Sequence, residues 1–221
     1  MNRIVTGIGL AGLLASTPAL AQTNDNAPEA LSSAPELKHD KKESWTYIKP
    51  GLNLAGVTAM QIEPTAVYRG ADAQFHDVSE ADREKYAVIM TEALQEQMGK
   101  SFQLITRPAA NAIRLKLTLI GASKTTGGLA TVSSVLPIGL LTNAVKSAAG
   151  KKGTFTGSAL IAVEIFDSTT NELLAAAVRR EVADALDISA TISTTETVKS
   201  IASAFAISLH NRLLEAKSRK P

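Results

Sequence analysis

Apolar and polar residues alternate along two stretches of the chain, and this pattern predicts β-strands. In residues 113–119, Ile or Leu occupies every odd position and Arg, Lys or Thr every even one, which is typical of a strand with one buried face. A second alternating run, 155–165, is followed by a polar turn and by residues 173–182, which are apolar from Leu173 to Val178. These two runs predict a β-hairpin. Shorter strands are predicted at 57–62 and 102–105.

Two other stretches repeat apolar residues every three or four positions, and these predict amphipathic helices. The first begins at the capping sequence Ser79-Glu80-Ala81-Asp82 and ends at Gly99. The second begins near Thr195 and runs into a basic tail. Each helix carries one apolar stripe, which favours packing on one side of a sheet. The predicted fold is therefore α+β, a two-layer α/β sandwich with a mixed sheet of about five strands and both helices on one face.

The N-terminus has the features of a secretory signal peptide. A positive residue is followed by an apolar stretch and by the small-x-small sequence Ala19-Leu20-Ala21, which predicts removal of residues 1–21 and cleavage near Ala21. Residues 22–44 are polar and show no apolar period, so they are predicted to be a flexible linker. A single domain is expected over 45–218.

The amino-acid composition excludes several types of functional site. The chain has no cysteine among its 221 residues, which excludes disulfides, thiolate nucleophiles, Cys-rich zinc sites and a lipid-bearing N-terminal Cys. Its net charge of +2 does not favour nucleic-acid binding. The three histidines lack metal-ligand spacing. Residues 7–12 match the dinucleotide fingerprint G-x-G-x-x-G, but they lie in the predicted signal peptide with no strand before them, so this match is discarded. We expect no metal, no cofactor, no catalytic residues and no lipid anchor, and a periplasmic or secreted protein.

An uncharged insertion at about 123–153 is the unusual part of the chain. Residues 125–145 contain no charge but include Gly, Ser, Thr, Asn and Pro, so a stable membrane span in the mature chain is not expected. Three interpretations stay open: a hairpin or helix folded onto the core, an exposed surface for self-association or a partner, and a segment with peripheral contact to a bilayer. The candidate interaction surface comprises Leu136, Pro137, Ile138, Leu140, Leu141, Lys146, Lys151 and Lys152.

The order of several weak motifs resembles a bacterial envelope family known as domain of unknown function 3313. The motifs lie at 47–51, 60–64, 67–68, 113–117, 135–139, 157–159 and 167–175. The resemblance spans residues 45–215. It implies an exported, often lipid-anchored protein without assigned activity, and it carries over no catalytic residues. Because this chain lacks the Cys of the anchored members, we expect it to be free in the periplasm.

The expected function is that of an exported, non-enzymatic binding or assembly module of the cell envelope. Its partner is expected to be an envelope protein or a second copy. Two alternatives stay open: a membrane-associated oligomeric accessory protein, and a hydrolase or small-ligand-binding protein with a carboxylate-lined site. The last would need Glu63, Glu164 or His76 to converge in one pocket.

Overall fold

The computed structural model describes residues 27–39, 44–75, 77–123, 158–182 and 194–218. Within these residues the strands are β1 (Lys38–His39), β2 (Trp45–Ile48), β3 (Ala59–Ile62), β4 (Ala66–Val67), β5 (Gln103–Ile105), β6 (Ala112–Ser123), β7 (Ser158–Asp167) and β8 (Leu173–Val182). Helix α1 (Glu80–Met98) lies between β4 and β5, and helix α2 (Thr194–Ser218) follows β8.

The eight described strands form one mixed sheet in the order β1-β2-β8-β7-β6-β3-β5, with β4 also beside β6. Strands β6, β7 and β8 are antiparallel neighbours, whereas β3 and β4 run parallel to β6. The predicted hairpin and the α+β class are confirmed. The sheet has three strands more than the five or so expected. These are β1 and β4, with two residues each, and β2, with four, and all three are too short to show a clear period.

Strands β3 and β4 are two pieces of one interrupted strand that runs beside β6. Met60 pairs with Ile113 of β6, and Ala66 pairs with Thr118 further along the same strand. Pro64 lies between the two pieces and has no N–H for the ladder, which explains the break. Beyond β4, Gln74 forms an isolated bridge with Gly121 on the same side of β6. A side chain at Gly121 would lie within 2.7 Å of the Gln74 backbone oxygen, so glycine is needed there.

Both helices cover one face of the sheet, here called the helix face. Helix α1 begins at the predicted cap, where the Asp82 N–H donates to Ser79 Oγ at 3.2 Å. The residues that meet in this core include Tyr86, Met90 and Leu94 of α1, Phe205 and Leu209 of α2, and Ile113, Leu115 and Leu117 of β6. The one-sided helix packing expected from the two apolar stripes is therefore present.

The opposite face is covered by residues 27–39, which we call the strap, and is named the strap face. Leu31 and Leu37 are buried there against the sheet. The sheet residues beneath them are Ile120 of β6, Leu160 and Ala162 of β7, and Ala176 and Val178 of β8, with Trp45 and Tyr47 at the margin. The flexible linker expected over 22–44 therefore does not describe residues 27–39. Two leucines six positions apart in a polar sequence show no period, so the sequence pattern could not predict that they are buried.

Candidate functional site

The predicted interaction surface lies outside the described residues. Leu136, Pro137, Ile138, Leu140 and Leu141 fall within 124–157, as do the three lysines Lys146, Lys151 and Lys152. The structure does describe the two points between which this segment runs. These are Ser123, the last residue of β6, and Ser158, the first residue of β7.

Those two points are direct neighbours in the sheet. Ser123 and Ser158 are partners in the antiparallel ladder, and their hydroxyl oxygens lie 2.8 Å apart. Arg180 of β8 strengthens this end of the sheet, since it donates to Ser158 Oγ at 3.3 Å and to Gln74 Oε1 at 2.7 Å. The segment 124–157 therefore departs from and returns to one well-supported place on three adjacent strands.

Glu164, one of the predicted carboxylates, lies at the centre of the strap face. It is on β7, and only 1% of its surface is exposed. Its Oε1 accepts hydrogen bonds from Ser32 Oγ and from the Ser33 N–H, both at 2.7 Å. Its Oε2 forms an ion pair at 3.1 Å with Lys116, its neighbour on β6. A buried carboxylate is thus the point at which the strap is fixed to the sheet.

These contacts keep Glu164 ionised. Burial by itself raises the pKa of a carboxyl group. The hydrogen bonds from Ser32 and Ser33, together with the Lys116 charge, outweigh burial and hold the pKa of Glu164 below its ordinary value of 4.5. The group therefore serves as a charged acceptor and not as a proton donor at neutral pH.

Glu63, the second predicted carboxylate, is engaged elsewhere. It follows β3 and forms an ion pair with Arg114 of β6. The Arg114 guanidinium also bonds to Asn171 and lies 4.3 Å from the centre of the Phe166 ring. Glu63 and Glu164 thus belong to separate ion pairs, and they do not form a joint acid–base site. His76 lies outside the described residues.

An open cleft of about 300 Å³ lies beside Glu63. Its lining residues are Gln61, Ile62, Glu63, Pro64, Gln95, Leu104, Ile105 and Thr106. Glu164 does not line it. The carboxylate-lined site of the enzymatic alternative is therefore not assembled from the residues that the structure describes around this cleft.

The remaining described acidic and histidine side chains likewise form no joint functional site. Among the described residues, no three acidic or histidine side chains lie together in a way that would hold a metal ion. His210 of α2 is buried between the helices, with its Nδ1 3.2 Å from Gln97 Nε2. No helix in the described part of the chain combines the length and the apolar character needed to cross a bilayer.

Sequence reasoning missed Lys116, Ser32 and Ser33 as the partners of Glu164. A signal for the buried position of Glu164 exists in β7 itself. On the strand face that Glu164 shares, Ser158 at the start of β7 is followed by Leu160, Ala162 and Phe166, so beyond its first residue β7 is apolar on both faces. Such a strand is buried on both sides, and a lone carboxylate within it needs a buried partner.

Of the comparisons with known proteins, the match to a family model agrees with the resemblance in the motifs. No curated protein matches the chain. A solved structure of the PelC dodecamer from Paraburkholderia phytofirmans is 11% identical, with a TM-score of 0.38, and the match covers 80% of this chain and 98% of that one. Protein XCC0632 from Xanthomonas campestris is 8% identical, with a TM-score of 0.40 and coverage of 76% and 90%.

A putative lipoprotein from Caulobacter crescentus is 13% identical, with a TM-score of 0.36 and coverage of 76% and 95%. The family model described as "Protein of unknown function (DUF3313)" matches residues 29–209. This range begins inside the strap and includes every element from β1 to most of α2. Because the match covers far more than half of the chain, the protein belongs to the DUF3313 family.

Proposed function

We propose that this protein is an exported, non-enzymatic binding or assembly domain of the cell envelope, and that residues 124–157 carry its contact surface. The observation behind this proposal is the adjacency of Ser123 and Ser158 in the ladder between β6 and β7. An antiparallel pair of this kind needs only a turn of a few residues to be connected. The sheet therefore has no topological need for a long segment at this place.

The character of the segment supports a contact role. Residues 125–145 are uncharged and carry Leu136, Ile138, Leu140 and Leu141, and a long connection of this kind inside a compact domain is usually functional. Lys146, Lys151 and Lys152 follow it and add positive charge at its end. A partner with an apolar surface and an acidic rim, either an envelope protein or a second copy, fits this composition.

The use of the described carboxylates supports a role without catalysis. Glu63 and Glu164 are each held by a cation from β6. A general acid and base would need to face a common space and to have pKa values tuned apart for that task. The pKa of Glu164 is lowered by its partners, which suits a structural anchor.

The test is to replace residues 124–157 with a four-residue Gly-Asn-Gly-Ser turn between Ser123 and Ser158. We expect the domain to keep its circular dichroism spectrum and cooperative unfolding, because the ladder partners stay in place. The same variant should lose the partner that is crosslinked to the native chain in the envelope fraction, or the higher mass seen in light scattering.

A second variant serves as the matched control for length. It keeps every residue of the segment except Leu136, Ile138, Leu140 and Leu141, which become Ser. This variant should also lose the contact while it stays folded. If both variants unfold, the segment belongs to the core; if both keep the contact, the surface lies elsewhere. Either result refutes the proposal.

Export is tested separately. We expect the mature chain to be recovered from the periplasmic fraction with Gln22 at its N-terminus, as measured by mass spectrometry. Substituting Ala19→Leu and Ala21→Leu together should block cleavage and leave the precursor mass. A chain found in the cytoplasm with Met1 retained would contradict this assignment.

A further inference from the structure

The strap is a self-contained unit that contacts the sheet almost entirely through side chains. Its turns are closed by its own backbone: the Leu31 N–H donates to the Pro28 oxygen at 3.2 Å, and the Leu37 N–H donates to the Ser33 oxygen at 3.2 Å. Its ladder with the sheet is β1, whose two residues pair with Trp45 and Thr46 of β2. A segment with few backbone bonds to its neighbour can leave without disrupting the neighbour's own ladder.

The surface beneath the strap is specific for this segment. Removing the strap would expose the apolar strap face and would leave Glu164 without the two donors that Ser32 and Ser33 supply. An exposed apolar patch is unfavourable, and so is a carboxylate that keeps only its ion pair with Lys116. The surface therefore accepts a segment that repeats the spacing of Leu31-Ser32-Ser33 and Leu37, and the strap of a second copy repeats it by identity.

The edge at which the strap turns back shows where a second copy would dock. β1 pairs with only half of β2, and no other described strand pairs with Tyr47 or Ile48 on that side. Ile48 is 70% exposed, the highest value among the exposed large hydrophobic side chains described. Residues 40–43 connect β1 to β2. The step from His39 to Ser44 spans at most about 17 Å when extended, so a strap that crosses to another copy requires contact near the β2 edge.

We infer that two copies of this chain dock at the β2 edge and exchange their straps, so that the strap of each copy lies on the strap face of the other. Exchange keeps every contact between strap and sheet and adds contact around Ile48. It is reciprocal and closes as a two-fold dimer. The strap and the β2 edge include none of residues 124–157, and each idea is tested by its own variants, so the present inference and the proposed contact role fail independently.

The absence of cysteine in the chain allows a direct test. Lys38 of the strap and Thr46 of β2 are ladder partners. Their Cα atoms are expected to lie about 4.5–5.5 Å apart, within the range that a disulfide bridges. Full chains carrying Lys38→Cys are refolded together with full chains carrying Thr46→Cys and then oxidised. Exchange predicts a covalent dimer of the two variants, in an amount that rises with protein concentration.

The matched control uses Ala59→Cys and Gln103→Cys, which are ladder partners within the body of one copy. That mixture should give no covalent dimer, while a single chain with both of these substitutions closes its own disulfide. If the Lys38→Cys and Thr46→Cys mixture stays monomeric, the inference is overturned.

A second experiment varies the hinge and the docking edge. Deleting residues 40–44 joins His39 directly to its ladder partner Trp45 and leaves no residue for a turn. The strap then cannot turn back onto its own sheet, and the protein should become a stable dimer in light scattering. Adding Ile48→Lys to that variant should weaken dimerisation by at least about tenfold. Val88→Lys, which alters an exposed apolar residue on α1, should leave it unchanged. A monomeric hinge-deletion variant with an intact fold would contradict strap exchange, and equal effects of the two lysine substitutions would contradict docking at β2.

Discussion

The two faces of the sheet are closed in different ways. Two long helices cover the helix face, and they bury a broad set of large apolar side chains against β3, β6 and β7. A strap of thirteen residues, 27–39, covers the strap face with two leucines and one charged anchor. Glu164 is the one carboxylate that is buried among the described residues.

This difference shows which interactions fix the position of each layer on the sheet. The helix layer depends on apolar area, whose contribution grows with the surface removed from water. The strap has little area, so its position depends on a buried acceptor that is satisfied by particular donors. Such an anchor adds modest net stability but disfavours wrong placements, because a misplaced strap leaves Glu164 without the hydrogen bonds from Ser32 and Ser33.

The largest expected effect lies in the helix face. Leu94→Ala removes a side chain with no exposed surface from between α1 and the sheet. It should lower the free energy of unfolding by about 2–5 kcal/mol, as measured by denaturant titration. Leu31→Ala on the strap should cost about 2 kcal/mol or less, since the strap can settle into the space. Equal costs would show that the two layers contribute alike and would remove the contrast between them.

The anchor itself is tested by Glu164→Gln. The amide keeps the shape but loses the charge that Ser32, Ser33 and Lys116 stabilise, so we expect a loss of about 1–3 kcal/mol in denaturant titration. Glu172→Gln is the matched control, because Glu172 pairs with Lys49 at the exposed surface. It should change stability by less than about 1 kcal/mol. A Glu164→Gln protein as stable as the parent would mean that the strap is held by its leucines alone.

The anchor also predicts a dependence on pH. The pKa of Glu164 in the folded protein lies below its ordinary value of 4.5. Its contribution to stability is therefore fully present above that ordinary value and is lost as the pH falls through the lowered pKa. The stability difference between the parent and Glu164→Gln should shrink as the pH is lowered from 6 towards 3 in urea titrations.

The titration of Asp167 does not alter this stability difference. Hydrogen bonds from the Thr170 N–H and the Thr169 hydroxyl, the two largest influences, lower the pKa of Asp167 from 3.8 to about 2, so its contribution is lost between these two values. Because Asp167 is present in both the parent and Glu164→Gln, this loss cancels from their stability difference. A difference that stays constant from pH 6 to 3 would contradict the charged role of Glu164.

The smallest of these effects concerns the start of α1. Ser79→Ala removes the acceptor for the Asp82 N–H and should cost about 1 kcal/mol in thermal or denaturant unfolding. Ser79→Asp keeps an acceptor at the same position and should restore most of that loss. If both substitutions lower stability by the same amount, the helix layer does not depend on the Ser79 cap. Its contrast with the strap then depends on packing alone.

The sequence by itself determined the elements that have a period. The alternation in 113–119, the hairpin around the turn at 167–172 and the cap at Ser79 all appear in the structure where the pattern predicts them. Each of these signals is local, because the residues that carry it are neighbours in the chain and face the same core. The two-layer arrangement follows from them, since one-sided helices must lie on a sheet.

The tertiary structure alone decided how the strap face is closed. Lys116 and Glu164 are 48 positions apart, and Ser33 is 131 positions from Glu164. Only the pairing of β6 with β7 brings the two charges together, and only the fold of the strap delivers its serines to them. No short-range sequence pattern encodes such long-range contacts, because they depend on strand register and not on the residues adjacent in sequence.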